Sequence, residues 1–253
     1  MSRVRASAAA ASPEAMLRKA SLARSPKLRA KYARLGLGSP SGMDPAIQAM
    51  LLRQLYLSHM EGRSFQEALG VAEQMVSLGV MPDVARQDAA RACLGLGLVE
   101  RAVAELRLAS RASPPSRRAF HLWTLGSVLH WSGRAAEAVG VLQRAVRWGT
   151  TDRPLYQAQL AIARLAAGEE VTDLEEVRER LRDAPSSRGY GEFLLGELSF
   201  TLGDHEAALG YLRAFLRRVT RGRVALSVGL GAEISRARAL VGWLEQGRSP
   251  SSS

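Results

Sequence analysis

Apolar and small residues recur along this chain at helical spacing, in pairs of segments separated by a glycine. The segment LGSVLHWSGRAAEAVGVLQRAV is the clearest, with Leu125, Gly126, Leu129, Gly133, Ala138, Leu142 and Ala145. Its pattern predicts two amphipathic helices, with small residues where the helices touch and Gly133 at the turn between them. A second copy, LLGELSFTLGDHEAALGYLRAF, places Leu195, Gly196, Gly203, Ala208, Leu212 and Phe215 in the same order. A third, ACLGLGLVERAVAELRLASRASP, keeps Gly97, Ala102, Leu106 and Ala109 and closes on Pro114. The turn glycines fall at Gly62, Gly97, Gly133, Gly168 and Gly203, in steps of 35, 36, 35 and 35. The small or apolar anchors that follow are Ala68, Ala102, Ala138, Leu174 and Ala208. A period of this length marks a stack of repeated units, each covering its neighbour's apolar face.

The leucine–glycine pair of the first helix, the inter-helix glycine and the spaced small and large residues of the second resemble the tetratricopeptide repeat family. The resemblance covers about residues 45–219 and is carried best by the hairpins around Gly133 and Gly203. It departs at Leu55-Tyr56, Ala89-Ala90 and Leu160-Ala161, which stand where the family has Leu-Gly. The second helix of the fourth hairpin, about 173–183, is short and rich in Glu and Arg, which makes this unit the expected irregularity. The resemblance implies an all-α, right-handed α-solenoid superhelix of about five tetratricopeptide-like hairpins plus a C-terminal capping helix. The boundaries read as 44–79, 83–113, 115–148, 153–184 and 189–219 within a domain spanning 43–247. The cap, 223–246, offers Val224, Val228, Ile234, Leu240, Val241 and Trp243 to the last hairpin, with Gly229 and Gly231 weakening its start. Residues 248–253 are expected to be disordered.

Charge changes the picture at one end. The chain carries a formal +11. Residues 1–42 hold Arg3, Arg5, Arg18, Lys19, Arg24, Lys27, Arg29, Lys31 and Arg34 against Glu14 alone. The remaining 26 basic and 23 acidic residues nearly balance. Residues 1–42 therefore read as a basic, partly disordered arm with possible helices, at 14–24 and after Pro26. In KLRAKYARL (27–35), Leu28, Tyr32 and Leu35 share one face beside Lys27, Lys31 and Arg34. Three readings stay open: an N-terminal cap on the first hairpin, an electrostatic anchor for nucleic acid or anionic lipid through Arg18, Lys19, Arg24, Lys27, Arg29, Lys31 and Arg34, or a flexible tail. Tyr32 is the arm's single aromatic, so base stacking has little to work with.

Candidate chemistry is sparse. Cys93 is the single cysteine and is expected to be buried and inert. The four histidines lack helical metal-pair spacing, and no nucleotide loop or nucleophile elbow occurs. Neither a cofactor nor a metal is expected, and the chain reads as no enzyme. Glu169-Glu170 and Glu175-Glu176 read as solvated faces with local ion pairs. No apolar run reaches a membrane span and no signal peptide is read. What the resemblance implies about function lies in the concave face lined by first helices. Its positions here are Arg53, Leu57, Gln87, Arg91, Phe120, Trp123, His130, Trp131, Tyr190, Phe193 and Phe200. Such a groove suits an extended peptide or a partner helix with apolar anchors. Leu57 and Ser127 stand where a carboxylate clamp would want Asn, which argues against tail capture. The resulting expectation is a bacterial-type cytoplasmic adaptor that binds protein in its groove, with nucleic-acid or membrane association through the arm as the alternative.

Overall fold

The computed structural model describes residues 12–38, 42–221 and 228–247. Among these residues there are thirteen α-helices and no strand. They are α1 (Pro13–Leu22), α2 (Pro26–Leu37), α3 (Pro45–Glu61), α4 (Phe65–Leu78), α5 (Pro82–Gly95), α6 (Val99–Ala112) and α7 (Pro115–Trp131). There follow α8 (Ala135–Trp148), α9 (Arg153–Ala166), α10 (Leu174–Arg182), α11 (Tyr190–Thr201), α12 (His205–Arg221) and α13 (Gly231–Gln246). Within each unit helices pack on their sequence neighbours, so the described residues form all-α helical hairpins. It gathers into two compact units, residues 1–105 and 106–253.

The five inter-helix turns are built alike. The amide of Ser64 donates to the carbonyl of His59, Leu98 to Cys93, Arg134 to Leu129, Glu169 to Arg164 and Asp204 to Ser199, each at 2.9 Å. The residue before each donor is left-handed: Arg63, Gly97, Gly133, Gly168 and Gly203. This is the Schellman ending, in which a left-handed residue turns the chain out of the helix and pairs its last free carbonyls. One expectation is corrected here. The left-handed position of the first turn is Arg63 (φ 57°), while Gly62 remains right-handed. The period of the fold therefore runs 63, 97, 133, 168, 203.

In the first unit, the basic segment forms a hairpin of its own. Ser12, Ser25 and Asp44 cap α1, α2 and α3, each accepting a backbone amide of the first turn and each followed by proline. That pairing of cap and pre-set proline explains three helix starts within 33 residues. The α1–α2 hairpin docks on α3. Gly36 lies against Leu51, so closely that a Cβ there would meet it at 2.8 Å. The Ser58 hydroxyl donates to the Pro26 carbonyl at 2.6 Å, and Arg29 pairs with Glu61 at 2.6 Å. Arg29 is thus buried structure and does not belong with the exposed charges of the arm. Residues 1–11 lie outside the described residues.

In the second unit, small residues let helices close. A Cβ on Gly126 would stand 2.5 Å from Leu142, and one on Gly196 would stand 2.6 Å from Leu212. Ala138, Ala145 and Ala208 are fully buried beside them. The fourth hairpin breaks the pattern. In the other four hairpins the second helix begins two residues after the left-handed position, but α10 begins six after Gly168 and runs only nine residues. Leu174 is consequently only half-buried, and Val171, Val177 and Leu181 supply the anchor instead. The acidic cluster forms ion pairs as expected, with Glu175 and Asp204 on Arg178, Glu176 on Arg180 and Glu169 on Arg164. The C-terminal helix starts at Gly231, and Ala237, Leu240 and Leu244 bury its face in the second unit's core. Trp243, expected to cover the last hairpin, is 56% exposed, although its edge meets Phe200 and His205. Residues 222–227 and 248–253, including Val224 and the expected disordered tail, lie outside the described residues.

The close approach at Gly126 makes a paired substitution informative. Gly126→Ala should lower stability by about 1–3 kcal/mol, because the added methyl overpacks Leu142. Gly140→Ala, on the exposed face of α8 with open space around it, should raise stability by about 0.5–1 kcal/mol through helix propensity. Urea unfolding midpoints of the two variants check both signs.

Candidate functional site

The groove positions of the first unit lie around Asp88 in α5. Its carboxylate is 1% exposed, takes Arg53 Nε at 3.1 Å and faces Arg91 at 3.6 Å. Burial raises the Asp88 carboxyl above its usual range, and the two guanidiniums oppose that shift. Both arginines remain about a third exposed, so each keeps N–H groups directed to solvent. The Tyr56 hydroxyl nearby is pushed up by burial and by Asp88. Gln87 is buried and Leu57 half-buried. Two basic groups of α3 and α5 are thus held at one carboxylate.

In the second unit, the aromatic positions come together as one connected set. Phe120, 39% exposed, lies tilted on Trp123 at 5.8 Å between ring centres. Trp123 continues to Tyr156 at 6.0 Å and meets Tyr190 edge-on at 5.0 Å. Tyr190 reaches Phe193 at 5.7 Å, and Phe193 reaches Trp131 at 5.4 Å. Trp123, Trp131, Tyr190 and Phe200 are half-buried. Two members of the expected groove belong to the interior. Phe193 is 0% exposed and packs on Phe215 at 5.1 Å, filling the space between hairpins. His130 is buried against Trp131 at 4.3 Å, and burial, with Arg236 adding to it, drives its imidazole down to about 4, so it is neutral at physiological pH. Phe200 turns away from this set toward Trp243.

Beneath the aromatics lies a polar knot that the hydrophobic pattern did not single out. The Tyr190 hydroxyl is 2.9 Å from Gln159 Oε1 and 3.1 Å from Glu233 Oε1, and accepts the Trp131 indole N–H at 3.3 Å. A phenol has one proton, so it cannot serve both oxygens. If Glu233 keeps its proton and donates to the phenol oxygen, Tyr190 donates to Gln159 and each of the three oxygens has a partner. Burial acts in the same direction, raising the Glu233 carboxyl to about 7. One turn along α13, Arg236 grips the buried Glu197 of α11 at 3.0 and 3.2 Å. The one sequence signal for this knot was the lone acid in the apolar run FLLGELSF. A further hollow of about 490 Å³, also missed by sequence reasoning, lies on the α11–α12 hairpin and is lined by Arg182, Arg188, Glu192, Leu195 and Tyr211.

Among the described residues, no group of three His, Cys, Asp or Glu is placed to hold a metal ion. No described helix is long and apolar enough to cross a membrane. Cys93 is fully buried.

No protein-family model and no curated protein matches the chain. Among solved structures it is similar to a Podosopora anserina protein described as "putative kinesin light chain nearly identical TPR-like repeats", at 18% identity and a TM-score of 0.47. The match covers 81% of this chain and 96% of that one. At that level the fold rests on the helices and turns themselves.

The Glu233 carboxyl gives the second unit a pH signature. Between about 4.5 and 7 the folded chain holds a proton at Glu233 that the unfolded chain releases. Stability from this group is therefore full below about 4.5 and is lost as pH rises through about 7. Glu233→Gln, which keeps the donor and cannot ionise, should match the parent protein near pH 5. Near pH 8 it should be more stable by about 2–3 kcal/mol. Urea titrations at both pH values check this, and a difference that does not change with pH would remove Glu233 as its source.

Proposed function

We propose that this chain is a non-enzymatic protein-interaction scaffold that takes a peptide or a helical segment on the aromatic face of its second unit. The observation that carries this reading is the connected set Phe120, Trp123 and Tyr190, open at Phe120 and backed by the core at Phe193. Rigid, half-buried aromatics with little rotamer freedom left are the side chains from which binding hot spots are made. Arg53 and Arg91, both held at Asp88, are the basic groups of the first unit's groove positions and can meet an acidic side chain of a partner. A stack of hairpins suits this work, because successive first helices repeat one surface at a fixed pitch. In this reading the protein works in the cytoplasm of a bacterial-type cell, without cofactor or metal.

Pull-down from a lysate of the source cell, with the full chain as bait, tests the proposal. Phe120→Ala combined with Trp123→Ala should weaken capture of the specific partner by at least about tenfold, as for two hot-spot aromatics. Trp148→Ala, an exposed tryptophan outside the set, should leave it unchanged. Far-UV circular dichroism of all three proteins should be the same. An unaltered set of captured proteins from the double variant would sink the groove reading.

A further inference from the structure

The α1–α2 hairpin carries a surface that the groove reading leaves unexplained. On α2 the buried side is Arg29, Ala30, Ala33 and Gly36, turned toward α1 and α3. On the opposite side Lys27, Leu28, Lys31, Arg34 and Leu35 are all exposed. At 100° per residue these five fall within an arc of about 120°. On α1, Leu22 stands between Arg18 and Lys19 around the helix, and all three are exposed. Arg24, in the turn between the two helices, is exposed as well. The leucines are not marginal: Leu22 is 76% exposed, Leu28 44% and Leu35 54%. They make up three of the eight large apolar side chains most open to solvent among the described residues. Six exposed cations share the hairpin with them, and among the described residues none of the six is paired with a carboxylate. The one acid of the hairpin is Glu14.

We propose that this hairpin docks on an anionic lipid surface, its lysines and arginines at the headgroups and Leu22, Leu28 and Leu35 entering the acyl boundary. The two halves of the surface are the two signals that stable interfacial attachment requires, apolar burial and attraction to anionic lipid. Charge complementarity sets aside the other occupants. Residues 1–11 carry Arg3 and Arg5 and no acid, so they offer this face no complementary charge. A second copy offers 26 basic and 23 acidic residues beyond residue 42, a near balance with no net opposite charge. Nucleic acid would use the cations but has no place for three exposed leucines. The hairpin's aromatic, Tyr32, is half-buried under Lys19 and cannot serve as a stacking platform. Because the hairpin is capped by its own serines and tied to α3, the surface is folded before it meets a membrane, and no ordering cost falls on the encounter.

Vesicle flotation with the full chain tests this. Phosphatidylcholine vesicles containing roughly one-third phosphatidylglycerol should carry the protein up the gradient, and pure phosphatidylcholine vesicles should not. Leu28→Gln with Leu35→Gln leaves the charge unaltered and should lower partitioning roughly tenfold. Lys27→Gln with Lys31→Gln should lower it by about fivefold for each lysine. All four positions are exposed, so circular dichroism should report unchanged helix content. Undiminished partitioning of the leucine pair would overturn the proposal, as would equal binding to neutral vesicles. Displacement of the protein from anionic vesicles by duplex DNA that the leucine pair binds as tightly as the parent would overturn it in favour of nucleic acid.

Discussion

Five of the hairpins in this protein, from α3–α4 to α11–α12, depend on one backbone event, the passage of a single residue through the left-handed region. A helix ends with carbonyls that have no partner within it, and the turn that follows supplies amides to them. The left-handed residue swings the next amide back over the helix end, where it finds the carbonyl five residues earlier. Five turns do this at the same distance. Because the geometry of the turn is fixed, so is the angle at which the second helix leaves, and the Gly126–Leu142 and Gly196–Leu212 contacts follow from that angle. Four of the five positions are glycine, which reaches this region without steric cost. Arg63 occupies the fifth, at a cost of about 1 kcal/mol that the buried face of the first hairpin outweighs.

The interior of the second unit shows two ways of filling space between hairpins. Between α7 and α8 the fill is aliphatic and small, with the helices brought close by Gly126, Ala138 and Ala145. Between α7, α9, α11 and α13 it is aromatic and polar. Tyr190 and Glu197 of α11 receive Glu233 and Arg236 of α13, so the C-terminal helix is held by directed bonds as well as by Ala237, Leu240 and Leu244. Directed bonds define a single docking register for that helix, which an alanine- and leucine-rich face alone does not do.

Much of this was legible in the sequence because the repeat period is a property of spacing, and spacing survives in a one-dimensional string. The existence of the hairpins, their glycine turns and the Glu–Arg character of α10 follow from it. What was misread follows from features that spacing does not encode. Gly62 attracted the turn assignment because glycine is the residue that left-handed backbone favours, yet the chain turns one residue later at Arg63. Leu174 fitted the anchor series only while the loop before it was assumed to be of ordinary length. Phe193 and Phe120 both sit on first helices, and which of them faces solvent depends on how neighbouring hairpins tilt. The N-terminal hairpin was visible as two possible helices, at 14–24 and after Pro26, but its attachment needed Gly36, Ser58 and Glu61 to be seen in contact with it.

The fourth hairpin has a consequence beyond its irregularity. Its long loop and nine-residue helix would be expected to throw the following repeats out of step. They do not: the left-handed glycines on either side of it, Gly168 and Gly203, stand 35 residues apart, like those of the regular units. The residues added before α10 are taken out of its length, nine residues against fourteen in α8. In the language of crystals, the array contains a point defect and not a dislocation, since its phase is the same before and after. Length variation in the segment 169–173 can therefore be absorbed locally, while the surfaces presented by the hairpins on either side keep their spacing.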